Sequence, residues 1–232
     1  MAAQRCANKT LVAVMHRETV SGKLLTTLKG LMSDRNLEDF VLVGGTSLSL
    51  QIGHRMSSDI DLFCPTGFSK EDLRKYLIER HSLRLSTISD IAIHGFIGNV
   101  KTDFVHYNNG FLYPFKQLED IRLAGLEDIS IMKLEAITNT QDRLKDYVDL
   151  AFLSEYLPLT KMLDGFKKKF GEDETYALRC LASFNKVNLK NDIFLMRGVF
   201  DWKMVTERIR HMIDKPSERF KAINFPDVKR GS

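Results

Sequence analysis

Leu42-Val-Gly-Gly-Thr-Ser-Leu-Ser-Leu-Gln-Ile-Gly-His-Arg55-Met-Ser57-Ser-Asp59-Ile-Asp61-Leu-Phe63 is the stretch on which the reading of this chain turns. Phe40 to Val43 is a short apolar run stopped by Gly44-Gly45, the pattern of a buried strand. A short helix then begins near Thr46 and carries Leu48, Leu50 and Ile52. Glycines let the backbone turn sharply and let a phosphate come close. The first helical turn offers free N–H groups and a positive dipole end. Thr46 or Ser47 adds a hydroxyl. The same residues also suit an ordinary strand–turn–helix corner with Thr46 as N-cap. Asp59 to Phe63 reads as a strand, on which alternate residues share a face, so Asp59 and Asp61 project together. Paired carboxylates repel and call for compensation, which a divalent cation with oxygen ligands supplies. An exposed edge strand bearing two acids is the alternative.

Thirteen residues separate Gly45 from Asp59. A glycine doublet followed at this distance by Asp-x-Asp resembles the signature of the polymerase-beta-like nucleotidyltransferases, in which the turn holds a triphosphate and the next strand holds the metals that bind it. A third carboxylate is expected on a neighbouring strand. Val100-Lys-Thr-Asp103-Phe-Val supplies one: Asp103 sits among apolar residues, where an unpaired acid is costly. Asp59, Asp61 and Asp103 are therefore the candidate metal ligands for two Mg²⁺ (or Mn²⁺) about 4 Å apart. Asp103 is also the candidate base or base-orienting group. A salt bridge from Asp103 to Lys101 or an arginine is the competing role.

The wider stretch resembles one branch of that superfamily, the AbiEii/AbiGii-type nucleotidyltransferases, which are toxins of type IV toxin–antitoxin and phage abortive-infection systems. Members show GGT, a short leucine-bearing helix and then R-x-S-x-D-x-D-L, and each of those positions is filled here. Glu127-Asp-Ile-Ser-Ile-Met-Lys133-Leu-Glu-Ala is similar to the family's M-K-x-x-A helix. Arg143-Leu-Lys145-Asp146-Tyr-Val-Asp149-Leu is similar to its R-x-K-D-x-x-D-L block. The glycine turn that relatives often place before that block is absent. The resemblance covers roughly residues 39–155. It implies catalytic roles for Asp59, Asp61, Asp103, Lys133 and Asp149. It also implies nucleotide contacts from Gly44, Gly45, Thr46, Ser47, Arg55, Ser57, Lys133 and Lys145. Bland readings stand beside several of these. Lys133 can snorkel from an apolar helix, Lys145 and Asp149 can form a surface i,i+4 pair, and Arg55 can orient Asp59 or Asp61. His54 has no evident partner and stays outside the expected site.

Around this centre the periodicity predicts a helix over 17–35 and another from the Ser69 cap to about Arg80. Strands are predicted at 82–86, 91–97 and 100–106, the last two joined by a Gly98-Asn99 turn. Five helices follow at 126–139, 142–156, 159–170, 174–185 and 202–213. On the second of these, Asp142, Asp146, Asp149 and Leu153 form a stripe that faces water or a cleft. Lys215 to Ser232 is polar and expected to be irregular. The fold class expected is α+β: a nucleotidyltransferase core of mixed sheet and helices over 1–120, then a helical region over 121–232 that completes the active-site cleft.

Ordinary globular composition, with 44% hydrophobic and 28% charged residues, argues against disorder. Cys6, Cys64 and Cys180 are too scattered for a disulfide framework or a zinc site. Lys167-Lys168-Lys169 suits a solvated helix face or an RNA contact. No apolar run reaches the length of a membrane span, and Met1 to Thr10 lacks a signal-peptide core, so the expected location is the cytoplasm. The expected function is transfer of NMP from an NTP to an acceptor with release of pyrophosphate, with RNA (the tRNA 3′ end) as the acceptor the resemblance implies. A separately encoded antitoxin need not bind the toxin. The rival readings are a small-molecule or protein nucleotidyltransferase and a nucleotide-binding module without catalysis.

Overall fold

In the computed structural model, residues 14–190 and 192–227 are described; Cys6, the polar start and the terminal Gly231-Ser232 lie outside them. Seven strands form one mixed sheet in the order β3-β4-β5-β2-β1-β7-β6. They are β1 (Val41–Leu42), β2 (Asp59–Cys64), β3 (Leu83–Ile88), β4 (Ala92–Ile97), β5 (Val100–His106), β6 (Lys116–Leu118) and β7 (Ile121–Leu123). Strand β2 runs parallel to β5, and β1 runs parallel to β7; the remaining pairs are antiparallel. The expected α+β class, a mixed sheet flanked by helices and followed by a helical part, is what the chain adopts.

Alternation along β2 sorts the molecule into layers. Ile60, Leu62 and Cys64 are buried, whereas Asp59, Asp61 and Phe63 are only partly so. The buried set joins Leu42 and Phe104 in a core closed from behind by helix α1 (Gly22–Met32) and helix α3 (Lys70–His81), through Leu24, Leu28, Leu31, Leu73 and Leu77. Each helix starts where a serine hydroxyl accepts a backbone N–H, Ser21 from Leu24 and Ser69 from Asp72. The other face of β2 looks toward the helical layer. This layer contains α4 (Leu126–Thr140), α5 (Leu144–Leu153), α6 (Leu159–Phe170), α7 (Glu174–Leu181) and α8 (Trp202–Asp214), packed on a second core with Val41, Val43 and helix α2 (Gly44–Ile52). Trp202 belongs to this core, edge-on to Tyr147 and Phe184.

Several boundaries differ from the sequence expectation. The helix expected over 17–35 is shorter, with 3₁₀ turns at Arg17–Thr19 and Arg35–Leu37 on either side. Helix α2 starts at Gly44 rather than near Thr46, because extended Val43 is the N-cap and Thr46 lies inside the first turn. Helix α5 starts at Leu144, which leaves Asp142 off the predicted stripe and turns Asp146 and Asp149 into the protein interior. Helix α7 ends at Leu181. The hairpin β6–β7 was not expected; its three-residue strands are too short to show alternation. Residues 215–227 have no long regular element but are not ragged. Phe220 N–H donates to the Ser154 carbonyl at 2.9 Å, and buried Phe225 stacks on Phe152 with ring centroids 5.8 Å apart. Cys64 and Cys180 are buried free thiols. No helix among the described residues is long and apolar enough to cross a membrane.

Candidate active site

A cavity of about 500 Å³ opens between the front face of the sheet and helices α4 and α5. Its wall includes Gly44, Asp59, Asp61, Asp103 and Lys133, five of the residues singled out from the sequence. Strand register explains the cluster. Asp61 on β2 lies directly opposite Asp103 on β5, and Asp103 lies opposite His94 on β4; Asp59 lies opposite Lys101. All five therefore share one face of the sheet.

The acids are not equivalent. Asp103 lies 3.0 Å from Lys101 Nζ, so the competing salt bridge to Lys101 is present; its other oxygen lies 3.1 Å from His94 Nδ1 but has no hydrogen-bond partner among the described residues. Asp59 accepts from the Ser58 hydroxyl at 3.2 Å. Asp61 forms no ion pair among the described residues, and its pKa is pushed up to about 6, first by burial and then by the charges of Asp103 and Asp59. The donors are all oxygens, which suits a hard divalent cation, and the crowding of negative charge at Asp61 is what such a cation relieves. The set is not pre-assembled: among the described residues, no group of three or more His, Cys, Asp or Glu side chains is poised to hold a metal ion.

The glycine doublet stands at the junction of these acids and α2. Gly44 has φ +68°, and a Cβ there would sit 2.5 Å from Asp61 Oδ2. A Cβ on Gly45 would lie 2.5 Å from Arg55 Nη2. Both positions require glycine for close approach, and Gly44 for its backbone as well. No side chain caps the start of α2, which leaves its first N–H groups available to an anion. Thr46 and Ser47, by contrast, are buried. The Thr46 hydroxyl is shared with the Ser57 hydroxyl at 2.8 Å and with the Asp59 carbonyl, and Ser47 points to the Ala124 carbonyl at 3.4 Å. These hydroxyls, with that of Ser57, tie α2 to β2 and to the loop before α4.

Behind the cavity wall lies a buried ionic network. Asp149 is fully buried and accepts from Arg55 Nε at 2.6 Å, Arg55 Nη2 at 2.8 Å and His54 Nε2 at 2.8 Å. Lys133 Nζ lies 2.7 Å from Asp149 and 2.6 Å from Asp146, which Arg143 also approaches at 2.9 Å. Burial pushes the Asp149 carboxyl up, but the Arg55 and Lys133 charges outweigh it and hold the group well below the carboxylate range. Burial likewise pushes Lys133 down, and Asp146 and Asp149 outweigh it, so the lysine stays charged. Burial dominates for His54 and lowers its pKa. Arg55 thus orients Asp149, not Asp59 or Asp61. The Lys145–Asp149 surface pair does not form, since Asp149 is interior.

Lys145 is exposed and lies away from the carboxylates. It lines a second depression of about 390 Å³ with Lys23, Arg55, Ser57, Ser58 and Phe194. Asp59, Lys101 and Asp146 line the first hollow, whereas their chain neighbours Ser58, Val100 and Lys145 line the second. Sequence reasoning did not reach His54, His94, Lys101, Glu135, Arg143 or Asp146 as site residues. Of these, Lys101 and His94 were accessible in principle, since alternation on two strands flanking Asp103 places them on its face. Lys169, read as part of a solvated run, is buried, with its ammonium 2.6 Å from the Gly110 carbonyl and 4.2 Å from the Tyr107 ring centre.

Residues 27–99 match the family model described as "Nucleotidyl transferase AbiEii toxin, Type IV TA system", so the resemblance carried by the Gly44–Asp61 motif is borne out over that segment. A curated relative, "Uncharacterized protein aq_aa25" from Aquifex aeolicus (strain VF5), is 33% identical over 122 residues. The match takes in 50% of this chain and 57% of the relative, little more than half its length. Among solved structures, JHP933 from Helicobacter pylori is 18% identical, with a TM-score of 0.49, covering 85% of this chain and 93% of that one. An antigenic nucleotidyltransferase-like protein from Paracoccidioides brasiliensis is 16% identical, with a TM-score of 0.44, covering 68% and 93%.

Proposed function

We propose that this chain, whose residues 27–99 match the AbiEii nucleotidyl transferase family model, is a metal-dependent nucleotidyltransferase that moves NMP from an NTP to an acceptor and releases pyrophosphate. The observation that carries the reading is the meeting, in one cavity, of an uncapped helix start at Gly44 with three carboxylates and a charged buried lysine. A nucleotide triphosphate is the ligand that uses all three at once. Its anionic oxygens accept from the α2 N–H groups, and Lys133 adds a cation. Asp59, Asp61 and Asp103 would hold Mg²⁺ or Mn²⁺, which when bound neutralises the acids and draws charge from the transferring phosphoryl group.

The chain's own residues do the rest. Asp103 would take the proton of the attacking hydroxyl, or orient the group that does, with His94 Nδ1 and Lys101 Nζ beside its carboxylate. Asp149 holds Lys133 and Arg55 in place from beneath and touches no solvent, so its role is positioning. Lys145 and Lys23 line the second depression, where they would attract anionic groups of substrate. The helical region completes the cleft in this reading, with α4 supplying the Lys133 wall. For the acceptor we favour RNA, and specifically a tRNA 3′ end, acted on in the cytoplasm by a toxin whose antitoxin is encoded separately. This choice follows the family match, and a small-molecule or protein acceptor is the second reading.

The test is a transfer assay with Mg²⁺, each α-labelled NTP in turn, and total cellular RNA. Label entering a tRNA-sized band, and lost in Asp59→Ala, is expected. Label appearing only on protein or on a small acceptor moves the assignment to the second reading. Absence of transfer with every acceptor class would sink the enzyme reading.

A further inference from the structure

Helix α4 turns one stripe of mixed polarity toward the cavity. Met132, Glu135, Ala136 and Asn139 fall at i, i+3, i+4 and i+7 and line it, while Ile131, Leu134 and Ile137 between them are buried in the core. Facing this stripe are Phe63 and Val105, which lie two residues beyond Asp61 and Asp103 on the same sheet face. The cavity therefore continues from the carboxylates into a slot with apolar sides and a polar edge. Glu135 is half-buried there and has neither a hydrogen-bond partner nor an ion-pair partner among the described residues. The cation whose charge acts on it, Lys169, is engaged with the Gly110 carbonyl, the Tyr107 ring and Asp128. A flat heterocycle with apolar faces and a donor-bearing edge is the chemistry that fits such a slot.

We propose that this slot reads the nucleobase of the bound NTP, and that Glu135 selects a base presenting an amino group. The inference rests on the transferase reading and names the substrate class within it. An ionised carboxylate only accepts hydrogen bonds. The N4 amine of cytosine, the N6 amine of adenine or the N2 amine of guanine donates to it, with Asn139 free to donate or accept beside it. Uracil places a carbonyl where cytosine has its amine, so its O4 would face the carboxylate, and the base would have to shift to bring its N3–H to Glu135 instead.

Titration calorimetry of the full chain with Mg²⁺ tests this through three pairs: ATP and purine riboside triphosphate, and GTP and ITP, which differ by one amino group, and CTP and UTP, which differ by amine against carbonyl and by the proton on N3. In at least one pair the amino-bearing member is expected to bind about tenfold more tightly, as for a well-formed base contact. Glu135→Gln should bring that pair within about threefold, and Glu135→Ala should do the same. Affinity for inorganic triphosphate, which has no base, should not change in either variant. The proposal is overturned if wild-type protein does not distinguish any pair. It is also overturned if the variants keep the preference, or lose inorganic triphosphate as much as NTP. If neither NTP nor triphosphate binds, the transferase reading fails and takes this one with it.

Discussion

Replacing Asp61 with asparagine should make the protein more stable at neutral pH while removing its transfer activity. The folded protein holds the Asp61 carboxyl at about 6, against an ordinary value of 3.8. A shift of about two units corresponds to about 3 kcal/mol of disfavoured charge. Water in the open cleft screens part of that, so roughly 1–3 kcal/mol is the working range. Because the folded-state pKa is the higher one, the folded chain binds more protons between pH 3.8 and about 6. Asp61 therefore opposes folding in full above about pH 6, and the penalty fades as pH falls toward 3.8. Asparagine keeps the shape and removes the charge. For a chain of this length each kcal/mol is about 2–4 °C in Tm. Thermal melts of wild type and Asp61→Asn, run from pH 4 to 8 without divalent cation, should diverge as pH rises, with the variant higher at pH 7. Added Mg²⁺ should then raise the wild-type Tm and leave the variant unmoved. Equal or lower stability of the variant at pH 7, with no pH-dependent gap, would refute the claim that crowded negative charge strains this site.

Asp149→Asn should destabilise by roughly 3–5 kcal/mol, because the fully buried carboxylate that pairs with Arg55 and Lys133 is lost; urea unfolding measures it, and a loss under 1 kcal/mol would contradict the network. The folded Asp149 pKa lies well below 3.8, so wild type should keep this contribution above pH 3.8 and lose it as pH falls below, a slope absent from the variant. Gly44→Ala forces a side chain into φ +68° and against Asp61; the left-handed backbone alone costs about 1–2 kcal/mol, and NTP binding measured by calorimetry should be lost although circular dichroism still shows a folded chain. Lys101→Met removes the cation paired with Asp103, and Mn²⁺ affinity measured by electron paramagnetic resonance should rise several-fold; weaker binding would mean that Lys101 instead presets the ligand geometry.

What could be read before the tertiary structure followed from local rules. Alternation on 59–63 sends Ile60 and Leu62 one way and Asp59 and Asp61 the other, and the structure keeps that division. Gly44-Gly45 marks a tight strand-to-helix turn because its backbone demand is local. The serine cap at 69, the Gly98 turn and most of the helices behave likewise, since each depends on neighbours within one or two turns.

What escaped depends on partners distant in the chain. Helical periodicity could put Asp146 and Asp149 on one stripe, but only packing decides that the stripe faces Lys133, Arg55 and His54. Arg55 is about ninety residues from Asp149, and its guanidinium suits phosphate and carboxylate alike; the fold supplies the carboxylate and buries the pair. Lys145 and Asp146 are adjacent in sequence yet open onto different hollows. The sequence by itself determined the layered α+β plan, the turn and the paired acids, because side-chain period and backbone freedom are local properties. The tertiary structure alone decided which charges neutralise one another and which are left facing the cleft, because electrostatic pairing is set by distance in space and by burial.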